Sequence, residues 1–224
     1  NHVGSWNFAA TAYLNQWKVK IYYEHYFDDH SQMFFQYGRW KDGHIGLEIT
    51  FPKNRFIDTF VYEGLGTKDQ TGPMLYDSFW GEFEEQISAK DNYYNHYLYQ
   101  GWQHWGMGIG NPLLPGPIYN KNGQITFISN RVLAHHIGFC GSPCQSLSYR
   151  MLLSYSRHWG TYDNPLNEIK KQFNSLFEVT YAPQQLKGWS FTVSGAMDRG
   201  SMLGNNYGGM LVIRKQGIIK SGNK

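Results

Sequence analysis

A chain of 224 residues with 17 % charged residues, a formal net charge of +3 and no stripe of Lys and Arg lacks the electrostatic footprint of a nucleic-acid binder. A mean hydropathy of -0.53 and the lack of any apolar run of about 18 residues exclude a membrane-spanning helix. Neither excludes a transmembrane β-barrel, whose strands turn one apolar face to lipid and one polar face to the lumen, so that the average cancels. The aromatic share of 17 % suits the interfacial belts of such a barrel, a sugar-binding surface or an all-β sandwich equally well. The start Asn1-His2-Val3 has no initiator Met, charged leader or apolar segment, so any signal peptide is expected outside this chain.

Taken in chain order, the first strand candidate is Trp6 to Tyr13. From Trp17, the set Trp17, Val19, Ile21, Tyr23, His25 and Phe27 alternates with Lys18, Lys20, Tyr22, Glu24, Tyr26 and Asp28, a period of two over about ten residues. Ile45, Leu47, Ile49 and Phe51 alternate likewise with His44, Gly46, Glu48 and Thr50. Phe56 to Tyr62, Arg131 to Phe139, Leu147 to Tyr155 and Leu176 to Tyr181 follow as further strands. Trp189, Phe191, Val193, Gly195 and Met197 then alternate with Ser190, Thr192, Ser194, Ala196 and Asp198, and Tyr207 to Arg214 closes the series. The predicted architecture is all-β, with about nine antiparallel strands.

The connections predict more than the strands do. Short links fall near Leu14-Asn15-Gln16, Pro52-Lys53-Asn54, Gly141-Ser142-Pro143 and Pro183 to Gly188. Longer ones span Asp28 to Asp42, Gly64 to about Asn130, Arg157 to Gln172 and Asp198 to Asn206. Membrane barrels sort their connections this way, with short periplasmic turns and long outer loops, whereas a sandwich has no reason to. With the short links periplasmic, the Trp6 strand runs inward and the last strand also finishes inside. An odd number of strands is then expected before Asn1, because single-chain outer-membrane barrels have an even count. About nine strands alone would leave unpaired edges in lipid, so a partner is expected, either an N-terminal barrel segment or a companion chain. Residues 1–224 are read as part of one outer-membrane barrel domain, with a loop or plug insertion at about 64–130.

That insertion is too long for a plain loop and too aromatic for disorder. Tyr93, Tyr94, Trp102 and Trp105 offer ring faces for stacking on sugars, beside Asp91 and His104 as hydrogen-bonding groups. The same aromatics would equally form the insertion's own core. A second candidate is Arg157-His158-Trp159-Gly160-Thr161-Tyr162-Asp163, which joins a cation, two aromatics and a carboxylate on an outer loop. Arg157 would grip an acidic sugar's carboxylate through its planar fork, or face the lumen and pair with Asp163 or a neighbouring carboxylate. Cys140 and Cys144 flank a Gly-Ser-Pro turn and would close a hairpin as a disulfide or remain two thiols.

Other constellations point away from cofactors and metals. Glu24, His25, Asp28, Asp29 and His30 crowd metal-type ligands together, yet a strand sends Glu24 and His25 to opposite faces and no calcium-loop spacing follows. His135 and His136 diverge in the same way. The Gly106-Met107-Gly108-Ile109-Gly110 run lacks the third glycine spacing and the βαβ context of a dinucleotide site. Glu82, Glu84, Glu85 and Asp91 would be the carboxylates of a glycoside-cleaving enzyme, but a charge run is usually a solvated face.

Tyr22 to Phe35 (YYEHYFDDHSQMFF), Asp91 to Leu114 (DNYYNHYLYQGWQHWGMGIGNPLL), Ser156 to Pro165 (SRHWGTYDNP) and Leu203 to Lys215 (LGNNYGGMLVIRK) resemble the Wzi-type capsule-assembly proteins, in the version found in Bacteroidetes-like bacteria. The resemblance covers nearly the whole chain. It implies the C-terminal half of an outer-membrane barrel of about 18 strands, a non-catalytic lectin that holds capsular polysaccharide at the cell surface. No cofactor is implied, and no residue-level binding motif carries over. Outer-membrane lipid and a capsular or other surface polysaccharide are the expected partners. A sugar-selective or general porin is the second reading and a glycoside-cleaving enzyme the third.

Overall fold

The computed structural model describes residues 4–27, 33, 42–54, 56–73, 90–95, 103–108 and 110–217. The main strands are β1 (Gly4–Leu14), β2 (Trp17–Phe27), β3 (Gly43–Thr50), β4 (Thr59–Gly66), β7 (Val132–Cys144), β8 (Leu147–Gly160), β9 (Pro165–Tyr181), β10 (Trp189–Gly200) and β11 (Asn206–Lys215). They form one nine-stranded antiparallel sheet in the order β1-β2-β3-β4-β7-β8-β9-β10-β11, a meander in which every neighbour is also the next main strand in the chain. The sheet is open, with β1 and β11 as its edges. A two-stranded hairpin, β5 (Gln103–His104) and β6 (Met107–Gly108), belongs to the insertion between β4 and β7. Among the described residues no helix is long and apolar enough to cross a membrane, a fact with no bearing on strands.

Register turns the alternation seen in single strands into two continuous faces. Glu24 stands opposite His44, Glu63 opposite His136, Ser156 opposite Gln172 and Asn174 opposite Asp198, so these groups share one polar face. The other face carries Phe8, Ile21, Ile45, Ile137, Phe177, Val193 and Leu211, all of them exposed. A sheet that shows its apolar side outward and its polar side inward reverses the usual globular arrangement. The polar side is curled around a cavity of about 970 Å³ that is lined by β1 to β4 and β7 to β10.

The turns at one end are built from local chemistry. Asn15 takes the left-handed φ of 56° that a two-residue hairpin loop between Leu14 and Trp17 demands, and asparagine tolerates it. Asn54 Oδ1 accepts the N–H groups of Phe56 and Ile57 at 2.8 and 2.9 Å, which holds the β3–β4 link. This link delays β4 to Thr59, three residues beyond the predicted start at Phe56.

Three further expectations are corrected. The chain does not turn at Gly141-Ser142-Pro143; β7 continues to Cys144, with a bulge after Gly141, and turns at Gln145 and Ser146. A Cβ on Gly141 would meet the Phe56 carbonyl oxygen at 1.7 Å, so the close approach needs glycine. Of the two alternatives open for Cys140 and Cys144, the structure holds the pair of free thiols. Both lie on one strand and, the bulge included, they face Arg150 and Leu147 of β8, three residues or about 10 Å apart, beyond the roughly 7 Å that a disulfide spans.

The predicted long connection from Arg157 to Gln172 is largely strand: β8 reaches Gly160, β9 begins at Pro165, and only residues 161–164 join them. Residues 165–171 mix apolar and polar side chains on both faces, with Leu166 beside Glu168 on one and Ile169 beside Asn167 on the other, so a period of two could not reveal them; pairing of Lys170 with His158 and Lys171 with Arg157 makes them strand. Loop lengths therefore do not alternate strictly. At the loop end, residues 28–42 and 67–131 are long, but 161–164 and 201–205 are shorter than the turn-end links 51–58 and 182–188.

The insertion docks on the polar face near the loop end. Leu65, Leu114, Phe127, Val132 and Ala134 form the buried apolar cluster there, with Tyr26, Tyr94 and Leu113 against it. Burying such side chains contributes roughly 1.5–3 kcal/mol each, which seats the insertion on the sheet.

Candidate functional site

The polar face beneath the insertion gathers side chains from eight strands, β1 to β4 and β7 to β10. His44 on β3 lies between two carboxylates, with Nε2 at 3.5 Å from Glu63 Oε1 and Nδ1 at 3.9 Å from Glu24 Oε2. Ser5 donates to Glu24 at 2.8 Å, and the Tyr22 hydroxyl donates to Glu63. Further along the same face His136 Nδ1 meets Ser154 Oγ at 2.7 Å, Ser156 Oγ meets His158 Nε2 at 2.8 Å, and Asn174 donates to Asp198 at 2.6 Å. This wall of hydroxyls, amides, imidazoles and carboxylates has both donors and acceptors, the inventory that matches a polyhydroxylated ligand.

The roof is held by a buried polar network that sequence reasoning missed. Asp42, just before β3, accepts the Asp69 and Gln70 N–H groups at 2.9 and 2.7 Å and the Tyr93 hydroxyl at 3.2 Å. Burial pushes its carboxyl up to about 6, against the lowering effect of the two amides and the phenol. Gln70 and Asn130 are fully buried; the Gln70 amide donates to the Asn130 carbonyl at 3.0 Å, and Asn130 donates to Tyr93 O at 2.7 Å. Thr71, a β-branched residue at φ 57°, donates from Oγ1 to Asp91 Oδ2 at 2.7 Å. Such a backbone persists only where its surroundings over-determine it.

The predicted glycan contacts separate into three places. Asp91 is 6 % exposed and Tyr93 also 6 %, so both serve the insertion's interior, as the Thr71 and Asp42 bonds indicate. Tyr94 packs on Phe127 with ring centroids 4.5 Å apart and also borders the cavity. His104 and Trp105 form the tip of the β5–β6 hairpin, their rings edge to face at 6.2 Å. Trp102, along with Glu82, Glu84, Glu85 and Asp28 to His30, lies outside the described residues.

Trp105 stands apart. It is 86 % exposed and sits at φ 51° ahead of Gly106 at φ 77°, the paired left-handed conformation of a tight hairpin turn. Asparagine, aspartate or glycine is the usual occupant, and a bulky aromatic there is costly. The Ile118 N–H donates to the Gly106 carbonyl at 2.8 Å, which brings Ile118 and Tyr119 beside the hairpin. Tyr119, the next residue, is 62 % exposed and also on the cavity's border. No spacing in the sequence signals its place, since it is the Ile118–Gly106 backbone bond that brings this segment to the hairpin.

The third place is the rim. Arg157 and Trp159 belong to β8 rather than to a loop, and the Arg157 guanidinium lies 5.1 Å from the Trp159 ring centroid. Lys68 approaches the same ring at 4.8 Å. Arg131 stacks on Tyr162 at 3.8 Å, while the Tyr162 hydroxyl, raised by burial, donates to the Asp69 carbonyl at 2.8 Å. Asp163 pairs with Lys90 of the insertion at 2.5 Å, not with Arg157. The rim cluster thus ties the β8–β9 connection to the insertion.

Comparison with protein-family models and with curated proteins yields no significant match.

Proposed function

We propose that this chain is the strand-bearing part of an outer-membrane β-barrel that holds polysaccharide at the cell surface without cleaving it. The observation that carries the reading is the inverted sheet: a largely apolar face is exposed on β1 to β3 and β7 to β11 while the polar face surrounds a roofed cavity. Water penalises such a face and lipid rewards it. Closure of the barrel falls to a further strand-bearing segment or companion chain pairing with β1 and β11, since neither edge is stable in lipid alone. The resemblance of four stretches to the Wzi-type capsule-assembly proteins supports a capsular polysaccharide as the ligand. Trp105 and Tyr119 offer the stacking surface, and the cavity wall supplies hydrogen-bonding groups.

The test is retention of the strain's own capsular polysaccharide by the purified protein in a pull-down. Replacing Trp105 and Tyr119 by Ala is expected to weaken retention by about 1–3 kcal/mol per ring, a figure taken from base stacking on aromatic platforms. Wild-type protein that fails to retain the polysaccharide ends the lectin reading, and cleavage of the sugar would promote an enzyme instead. A porin is the second reading, favoured by the size of the cavity and opposed by the insertion docked over it.

A further inference from the structure

Toward the loop end, the apolar face finishes in a group of cations. Arg157 on β8 lies directly opposite Lys171 on β9, and Arg199 on β10 lies opposite Phe173, the neighbouring residue on that same face of β9. Like charges placed directly opposite across a ladder are destabilising unless an anion comes between them. Among the described residues none of the three forms an ion pair. Arg157 Nε is buried without a hydrogen-bond partner, whereas Lys171 and Arg199 are exposed. Lys68 adds a fourth cation over Trp159. Directly below this group the same face turns apolar at Tyr155, Phe173, Phe177 and Val193.

An occupant that satisfies both parts must join a compact anion to apolar chains. We propose that this rim binds the phosphate of a lipid headgroup, with the acyl chains laid along β8 to β10. The assignment rests on the membrane-barrel reading. A phosphate presents several oxygens and so can take the guanidinium fork of Arg157 and the Lys171 ammonium together, removing the repulsion between them. Free phosphate would use the cations but leave the apolar strip in water.

The experiment is native mass spectrometry of the purified protein released from detergent. It is titrated with phosphorylated lipid A, with the same lipid A stripped of phosphate, and with inorganic phosphate. The phosphorylated lipid is expected to bind at least about tenfold more tightly than its stripped counterpart. Each of Arg157→Gln, Lys171→Gln and Arg199→Gln should cost about fivefold, and the triple variant on the order of a hundredfold, from the usual gain per cation at an anionic surface. Arg199→Lys, which keeps the charge, should stay within a few-fold of wild type. If the triple variant does not fold, Lys171→Gln alone decides, because that side chain is exposed and its removal leaves the packing intact. Equal binding of the two lipids overturns the proposal, as does unchanged binding by the Gln variants or inorganic phosphate bound as tightly as the lipid. The barrel reading is checked separately by whether the protein needs detergent to stay dispersed. A protein soluble without detergent sinks both, and one that needs detergent yet ignores the phosphate sinks this proposal alone.

Discussion

At Trp105 the demands of folding and of recognition diverge. Its left-handed backbone costs roughly 1–2 kcal/mol for a residue other than Gly, Asn or Asp, and its ring has little packing to offset that. Trp105→Asn is therefore expected to stabilise the β5–β6 hairpin, read as slower proteolysis of the insertion, while lowering polysaccharide retention. Faster proteolysis would show that the indole is a structural contact. Asp42 makes the opposite kind of argument. Its carboxyl stands near 6 in the fold against an ordinary 3.8, so between those values the folded state holds more protons than the unfolded one. The stability this lends is full below about pH 4 and is lost as pH rises through about 6. Hydrogen-exchange protection at Asp69 and Gln70, corrected for intrinsic rates, should fall over that interval. Asp42→Asn leaves one of the two amides without an acceptor, should destabilise the insertion by about 1–3 kcal/mol, and should flatten the pH dependence. A pH profile that survives the substitution would assign the titration elsewhere.

Strands carry the membrane argument, because a single substitution tests which solvent a face meets. Val193 on β10 and Leu211 on β11 are opposite one another and are 60 % and 66 % exposed. Val193→Arg or Leu211→Arg should cost about 2–4 kcal/mol if these positions lie in hydrocarbon, measured by reversible unfolding from lipid vesicles. On a water-facing sheet the same changes would be neutral. The polar face gives a complementary test at Gly46, where an added Cβ would meet the Tyr22 ring at 2.0 Å. Gly46→Ala must displace that ring and its bond to Glu63, with an expected loss of about 1–3 kcal/mol.

For the whole molecule, the decisive relation is between sheet and insertion. Leu114 and Phe127 anchor the insertion into the polar face at Leu65 and Ala134, so the cavity is roofed rather than open. Steady conductance is therefore not expected when the intact protein is placed in a planar bilayer. Leu114→Asp buries a charge in an apolar cluster and should loosen the roof, raising the frequency of openings. Large, steady conductance from the unmodified protein would move the assignment to a porin.

The amino-acid order by itself determined the all-β class, nine main strands and which residues of each strand share a face. Those are consequences of a period of two that needs no partner to be read, as in the runs from Trp17, His44 and Trp189. It also marked the insertion after β4, through its length and aromatic content. Only the tertiary structure decided where β9 begins, because residues 165–171 become strand by pairing with β8 and not by any pattern of their own. The same holds for the cavity wall, where Glu24, His44, Glu63 and His136 meet only through the register of four strands. Asp42 is joined to Gln70 and Tyr93, and Gly106 to Ile118, by contacts between segments separated in the chain, which no local spacing encodes. Face and period are local properties of a strand, whereas sites are made by register and by what docks on the sheet.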